Sequence, residues 1–76
     1  MKELLTYIVQ SLVETPGEVS VTEREAGGET VYEVRVASGD MGKVIGRQGR
    51  VVKEIRTLMK AVAQREGKRV SVEILD

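Results

Sequence analysis

"MGKVIGRQGR", residues 41–50, interrupts what would otherwise read as one long helical region. It packs three glycines (Gly42, Gly46, Gly49) and three basic side chains (Lys43, Arg47, Arg50) into ten residues. A glycine inside a helix costs about 1 kcal/mol relative to alanine, yet both flanks carry helical patterns. On the N-terminal side, "SGDMGKVIG" reads as a short helix. Ser38 or Asp40 can cap its start, and Gly46 can end it in a left-handed conformation. On the C-terminal side a second helix runs from residue 49 or 50 to 66. Its apolar set, Val51, Val52, Ile55, Leu58, Met59 and Val62, falls within one broad arc. Arg50, Lys53, Arg56 and Lys60 share the opposite arc with Thr57 and Gln64, and Gly67 supplies a stop.

Working outward, residues 2–14 predict a first helix, because Leu5, Ile8, Val9 and Leu12 recur at helical spacing. Thr15-Pro16-Gly17 ends it, since the residue before a proline is pushed out of helical geometry. Two alternating runs follow. In residues 19–25, Val19 and Val21 oppose Ser20 and Thr22. In residues 31–37, Tyr32, Val34 and Val36 oppose Val31, Glu33 and Arg35. Gly27-Gly28 between them is a hairpin turn signal. The last strand, residues 69–75, alternates Val70, Val72 and Ile74. The element order is α-β-β-α-α-β within a single domain, 1–76. The expected fold class is α+β: a three-stranded mixed sheet, with strand 31–37 in the middle, and three helices on one face. Glu33, Arg35, Ser71 and Glu73 suit the uncovered face.

Composition narrows the function. With 76 residues, the chain buries only about 60% of the surface its unfolded form exposes, which disfavours an enclosed pocket. It has no cysteine and no histidine. Thiol chemistry, disulfides, Cys/His zinc sites and imidazole acid–base catalysis are therefore excluded. Asp40 near the loop is better read as a helix cap than as a catalytic acid, and no nucleophile–base pair is visible. The expectation is no enzyme, no cofactor and no metal. The N-terminus is too charged for a signal peptide, and no apolar run approaches a membrane span. A cysteine-free chain is compatible with a cytoplasmic location.

Lysine plus arginine number 12, and so do aspartate plus glutamate. The distribution is uneven. Residues 1–39 hold three basic and seven acidic side chains, whereas residues 40–60 hold six basic and two acidic. A local basic patch attracts a polyanion more than the total charge does. For Arg56 and Lys60, which lie further along the helix, a solvated face is the better reading.

Three glycine devices are to be weighed for a basic loop, and two fail on spacing. A Walker-type loop requires G-x-x-x-x-G-K-[ST], but Lys43 is followed by Val44 and the earlier glycine is Ala37. A dinucleotide fingerprint requires G-x-G-x-x-G, but position 44 is Val. The third device is a G-x-x-G turn between two helices. There the second helix start offers N–H groups without intrahelical partners, and the missing Cβ atoms let a sugar–phosphate chain lie against the loop. Arg47 adds a forked cationic donor, and Gln48 adds uncharged donors.

"VIGRQGRVVKEI", residues 44–55, resembles the core motif of the KH domain, an I-G-x-x-G loop followed by an apolar helix. Ile45, Gly46, Gly49, Val52 and Ile55 match it position by position. The element order is similar to the bacterial type II KH fold, and the resemblance covers the whole chain. "MKELLTYIVQSLV" together with "DMGKVIGRQGR" resembles the small single-KH RNA-binding proteins of bacteria, the KhpA type. The resemblance implies single-stranded RNA as partner, with the loop clamping the backbone of about four nucleotides. On that basis Gly46, Arg47, Gln48 and Gly49 hold the backbone. Gly42 leaves room for a base, and Lys43, Arg50 and Lys53 add phosphate contacts. Val44 or Ile45 either floors the bases or packs the core. The role implied is that of a small post-transcriptional regulator or RNA chaperone-like factor. The resemblance also suggests a homodimer, or a heterodimer with a larger Jag-type KH protein.

Only two tyrosines represent the aromatic residues. Stacking of bases on an exposed sheet is therefore not expected, whereas a backbone clamp needs no ring. Tyr32 falls on the core face of its strand, and Tyr7 on the helix surface. The competing reading is a protein-interaction module on a KH scaffold, since fold does not fix function.

Overall fold

The structure of the protein, a computed structural model, describes residues 1–75. Helix α1 spans Lys2–Leu12, and its stripe places Leu5 and Val9 fully in the core. It ends two residues earlier than the proline dictates. Val13 is already extended, and the next two backbone N–H groups, of Glu14 and Thr15, donate to the Asp40 carboxylate instead of to the preceding turn. A short 3-10 turn, Pro16–Glu18, leads into the hairpin.

Strands β1 (Ser20–Ala26) and β2 (Glu29–Arg35) pair antiparallel, with Val21 opposite Val34 and Ala26 opposite Glu29. Gly27 and Gly28 both have positive φ, 60° and 79°. That is the requirement of the tight two-residue turn whose twist matches the flanking strands. The tightness explains why β2 begins two residues before the expected position. Strand β3 (Val70–Leu75) joins β2 in parallel, giving the order β1-β2-β3 with β2 central.

Between β2 and β3 come the two helices of the crossover. Helix α2 (Met41–Ile45) follows a 3-10 turn at Ser38–Asp40, and helix α3 (Arg50–Arg65) follows another at Arg47–Gly49. One face of the sheet, carrying Val21, Tyr32, Val34, Val70 and Val72, packs in a single core with Leu5, Val9, Val44, Ile55, Met59 and Ala63 from the helices. The other face is charged. Arg24 on β1 lies 3.0 Å from Glu33 on β2 and 3.6 Å from Glu73 on β3, so one guanidinium ties the three strands together. Val31 lies on this open face and is still buried, with Arg24 and Ser71 as its register partners.

Two expectations about side chains change. The buried line of α3 is Val52, Ile55, Met59 and Ala63. Leu58 is 46% exposed, and Val51 and Val62 are half-buried. The helix is thus rotated away from the arc its larger apolar residues define, and a small residue, Ala63, fills the last core position near the sheet. Arg56 is also not merely solvated. Its Nε donates to the carbonyl of Val72 at 3.0 Å, occupying an acceptor on the outer edge of β3.

Candidate nucleic-acid interface

The loop is built from backbone conformations that few side chains tolerate. Gly46 has φ 79° and ψ 171°, a region essentially confined to glycine. A Cβ there would also meet Val51, with the Val51 backbone nitrogen at 2.8 Å. Gly46 therefore permits both the turn and the close approach of α3. It is not the left-handed residue. Gln48 (φ 58°, ψ 26°) and Gly49 (φ 76°, ψ 14°) take that conformation in succession. Gln48 is the sole non-glycine residue with positive φ among the described residues.

The N–H groups of Gly46, Gly49 and Arg50 turn inward, donating to the carbonyls of Gly42, Gly46 and Arg47. The helix start is therefore less open than the sequence suggested. Arg47 and Gln48 lie between these inward-turned groups, and Gln48 is held in the left-handed conformation. Both residues are exposed, at the tip of the arm formed by α2 and the loop.

The remaining candidates fall into distinct environments. Arg47, Arg50 and Lys53 are exposed and form no ion pair among the described residues. Lys43 differs, because its ammonium sits 3.7 Å from Glu14 and 3.8 Å from Asp40. It is already partly neutralised. Gly42 lies within α2, exposed, and a Cβ there would meet nothing within 4 Å. Nothing in the protein's own packing requires glycine at that position. Val44 is wholly buried in the core and leaves the surface, whereas Ile45 is half-exposed beside the loop.

Asp40 does not act as the expected cap. Neither it nor Ser38 makes a side-chain hydrogen bond to the following turn. Its carboxylate is buried and accepts from the N–H groups of Glu14 at 3.2 Å and Thr15 at 3.1 Å. A sequence pattern cannot reveal a bond between segments about 25 residues apart when a local cap explains the same aspartate. Among the described residues no His/Cys/Asp/Glu group could hold a metal ion, and no helix is long and apolar enough to cross a membrane.

An α-β-β-α-α-β chain folded as a mixed three-stranded sheet, with a glycine-bounded turn joining its second and third helices, is a KH domain in the type II arrangement. The family described as KhpA/KhpB, KH domain, matches residues 2–74. RNA-binding protein KhpA of Chlamydia trachomatis is 49% identical over 76 residues, covering all of this chain and 97% of that protein. RNA-binding protein KhpA of Clostridium acetobutylicum is 53% identical over 75 residues, covering 99% of this chain and 100% of that one. The chain belongs to the KhpA/KhpB family of KH domains. Among solved structures, a variant of Aquifex aeolicus Era bound to GDP and aluminium fluoride superposes with a TM-score of 0.67 at 21% identity. A structure of Era with a guanine nucleotide and a segment of 16S ribosomal RNA superposes with a TM-score of 0.61 at 22% identity. Each match covers 96% of this chain and 28% of the Era chain, and at these identities it establishes the fold alone.

Proposed function

We propose that the chain binds single-stranded RNA non-catalytically, through the turn formed by Gly46, Arg47, Gln48 and Gly49. One observation carries the reading. A bare glycine-bounded loop exposes Arg47 and Gln48, with their side-chain donors, beside two further exposed cations, Arg50 and Lys53, and none of the three cations has an ion-pair partner among the described residues. Phosphate oxygens supply what such a surface lacks: acceptors and negative charge. The relatives' name, RNA-binding protein, supports the same reading. Gly42 is the second close-approach site, because its helical glycine has open space above it and no internal role. Lys43 contributes only when phosphate displaces Glu14 or Asp40. A role as a cytoplasmic post-transcriptional regulator or chaperone-like factor is carried by the family resemblance.

The test is a fluorescence titration of short single-stranded RNA with the wild-type chain and with the folded double variant Arg47→Asp, Gln48→Asp. Binding should disappear in the variant. Equal affinity of the two proteins removes the loop from the RNA site. A second reading, a protein-interaction module, is favoured by the exposed Leu4, Leu12 and Leu58. It takes the form of a homodimer or of pairing with a larger Jag-type KH protein, and it is compatible with RNA binding. A sedimentation profile that stays monomeric at high concentration rules out the homodimer.

A further inference from the structure

Resting on the RNA reading above, we infer that Asp40 is a positioning residue for the RNA clamp, latching the arm that carries the loop to the end of α1. Asp40 is the buried charged side chain of the described residues, 3% exposed. It stands at the N-cap of α2, yet its two oxygens reach across the fold to successive N–H groups, one oxygen to Glu14 and the other to Thr15. Successive main-chain N–H groups make a small anion-binding concavity. Here the protein's own carboxylate fills it.

The arm needs such a tie. Helix α2 has five residues, far below the length at which a helix holds its shape unaided. It also contains Gly42, which lowers its helical preference further. Beyond it come Gly46, Gln48 and Gly49 in uncommon conformations. The side chain of Val44, the fourth residue of α2, is buried and anchors the arm in the core. That anchor, like the close approach of Gly46 to Val51, is a packing contact without direction. The Asp40 bonds supply a directional point at the base of the arm. Their partners are well supported, since Glu14 and Thr15 lie between α1, which is seated in the core through Leu5 and Val9, and the Pro16–Glu18 turn. The same carboxylate draws Lys43 to 3.8 Å, beside Glu14. A binding constellation works only when its supporting shell holds it to a fraction of an ångström.

Asp40→Asn tests the inference, because charge and positioning predict opposite signs. Removing a negative charge near a phosphate site, and releasing Lys43 from it, raises affinity for a polyanion if electrostatics alone matters. Under the positioning role, the asparagine amide faces an N–H group with a donor instead of an acceptor, one bond is lost, and RNA affinity falls by about tenfold, the scale of one charge-assisted hydrogen bond. Affinity is measured where both proteins are fully folded. Amide hydrogen exchange is followed at Gly46, Gly49 and Arg50, whose N–H groups are internally bonded. Faster exchange at those three, against unchanged core amides in Val34 and Met59, is expected. Arg24→Ala, on the far face of the sheet, serves as a mildly destabilised comparison with normal RNA affinity. Unchanged or raised affinity of the Asp40→Asn protein overturns the inference, and so does exchange that quickens uniformly throughout. Should the wild-type chain bind no RNA, the RNA reading falls and the latch stands or falls on the exchange pattern alone.

Discussion

Gly46 combines a glycine-only backbone conformation with a Cβ position already occupied by Val51. Gly46→Ala should therefore cost about 2 kcal/mol or more, since backbone strain of this kind is worth about 1–3 kcal/mol before the steric shift is added. Chemical denaturation checks this, and a loss under about 0.5 kcal/mol would show that the loop relaxes freely. Gln48 presents the reverse case. A glutamine in left-handed geometry is strained by about 1 kcal/mol. Gln48→Gly should relieve that strain, offset in part by the greater freedom of glycine in the unfolded chain, for a net gain of up to about 1 kcal/mol. The same change removes the side-chain donors from the loop tip, so RNA affinity should fall while the melting temperature rises. A variant improved in both would show that the Gln48 side chain has no part in binding.

Among the elements, β2 carries a group that links stability to pH. Burial, then the nearby Glu23 and Glu66, push the Tyr32 hydroxyl above its ordinary value of 10.0. The neutral phenol is thus preferred in the folded state, and its contribution is fully present below pH 10. It is lost as pH rises through the higher folded value. The drop in unfolding free energy between pH 9 and pH 11 should be smaller in Tyr32→Phe than in wild type, with lysine titration common to both. Identical slopes would place the hydroxyl in a water-like environment. Helix α3 separates what patterning can and cannot resolve. A stripe of six apolar residues announced the helix and its amphipathic character. The rotation that buries Ala63 and exposes Leu58 depends on the sheet it meets, since Ala63 is small enough to approach β3 closely. Arg56 likewise reads as a surface cation in sequence, because its acceptor is a main-chain carbonyl on a strand 16 residues away.

For the folded chain as one body, zero net charge conceals a local polarity that should appear in salt dependence. If Arg47, Arg50 and Lys53 each neutralise one phosphate, log affinity should fall against log salt with a slope of about −2, at roughly −0.7 per single-strand phosphate. Lys53→Gln should reduce that slope by about 0.7, whereas Lys43→Gln should change it less, because Lys43 is already engaged by Glu14 and Asp40. Equal effects of the two variants would mean that the Lys43 ion pairs dissolve in solution. Helices, hairpin, strand order and loop were all legible in the chain, because period and glycine turns are local properties written in neighbouring residues. The ends of α1 and β2 were not, since a bond to Asp40 sets one and a tight glycine turn the other. Sequence alone thus established the α-β-β-α-α-β order, the core face of each strand and the bare basic turn. Tertiary structure decided that Val44 leaves the surface, that Lys43 is partly neutralised, that Arg56 caps an edge and that the Asp40 carboxylate reaches the N–H groups of Glu14 and Thr15. Each of these depends on partners distant in sequence, and pairwise proximity of that kind exists only once the chain has folded.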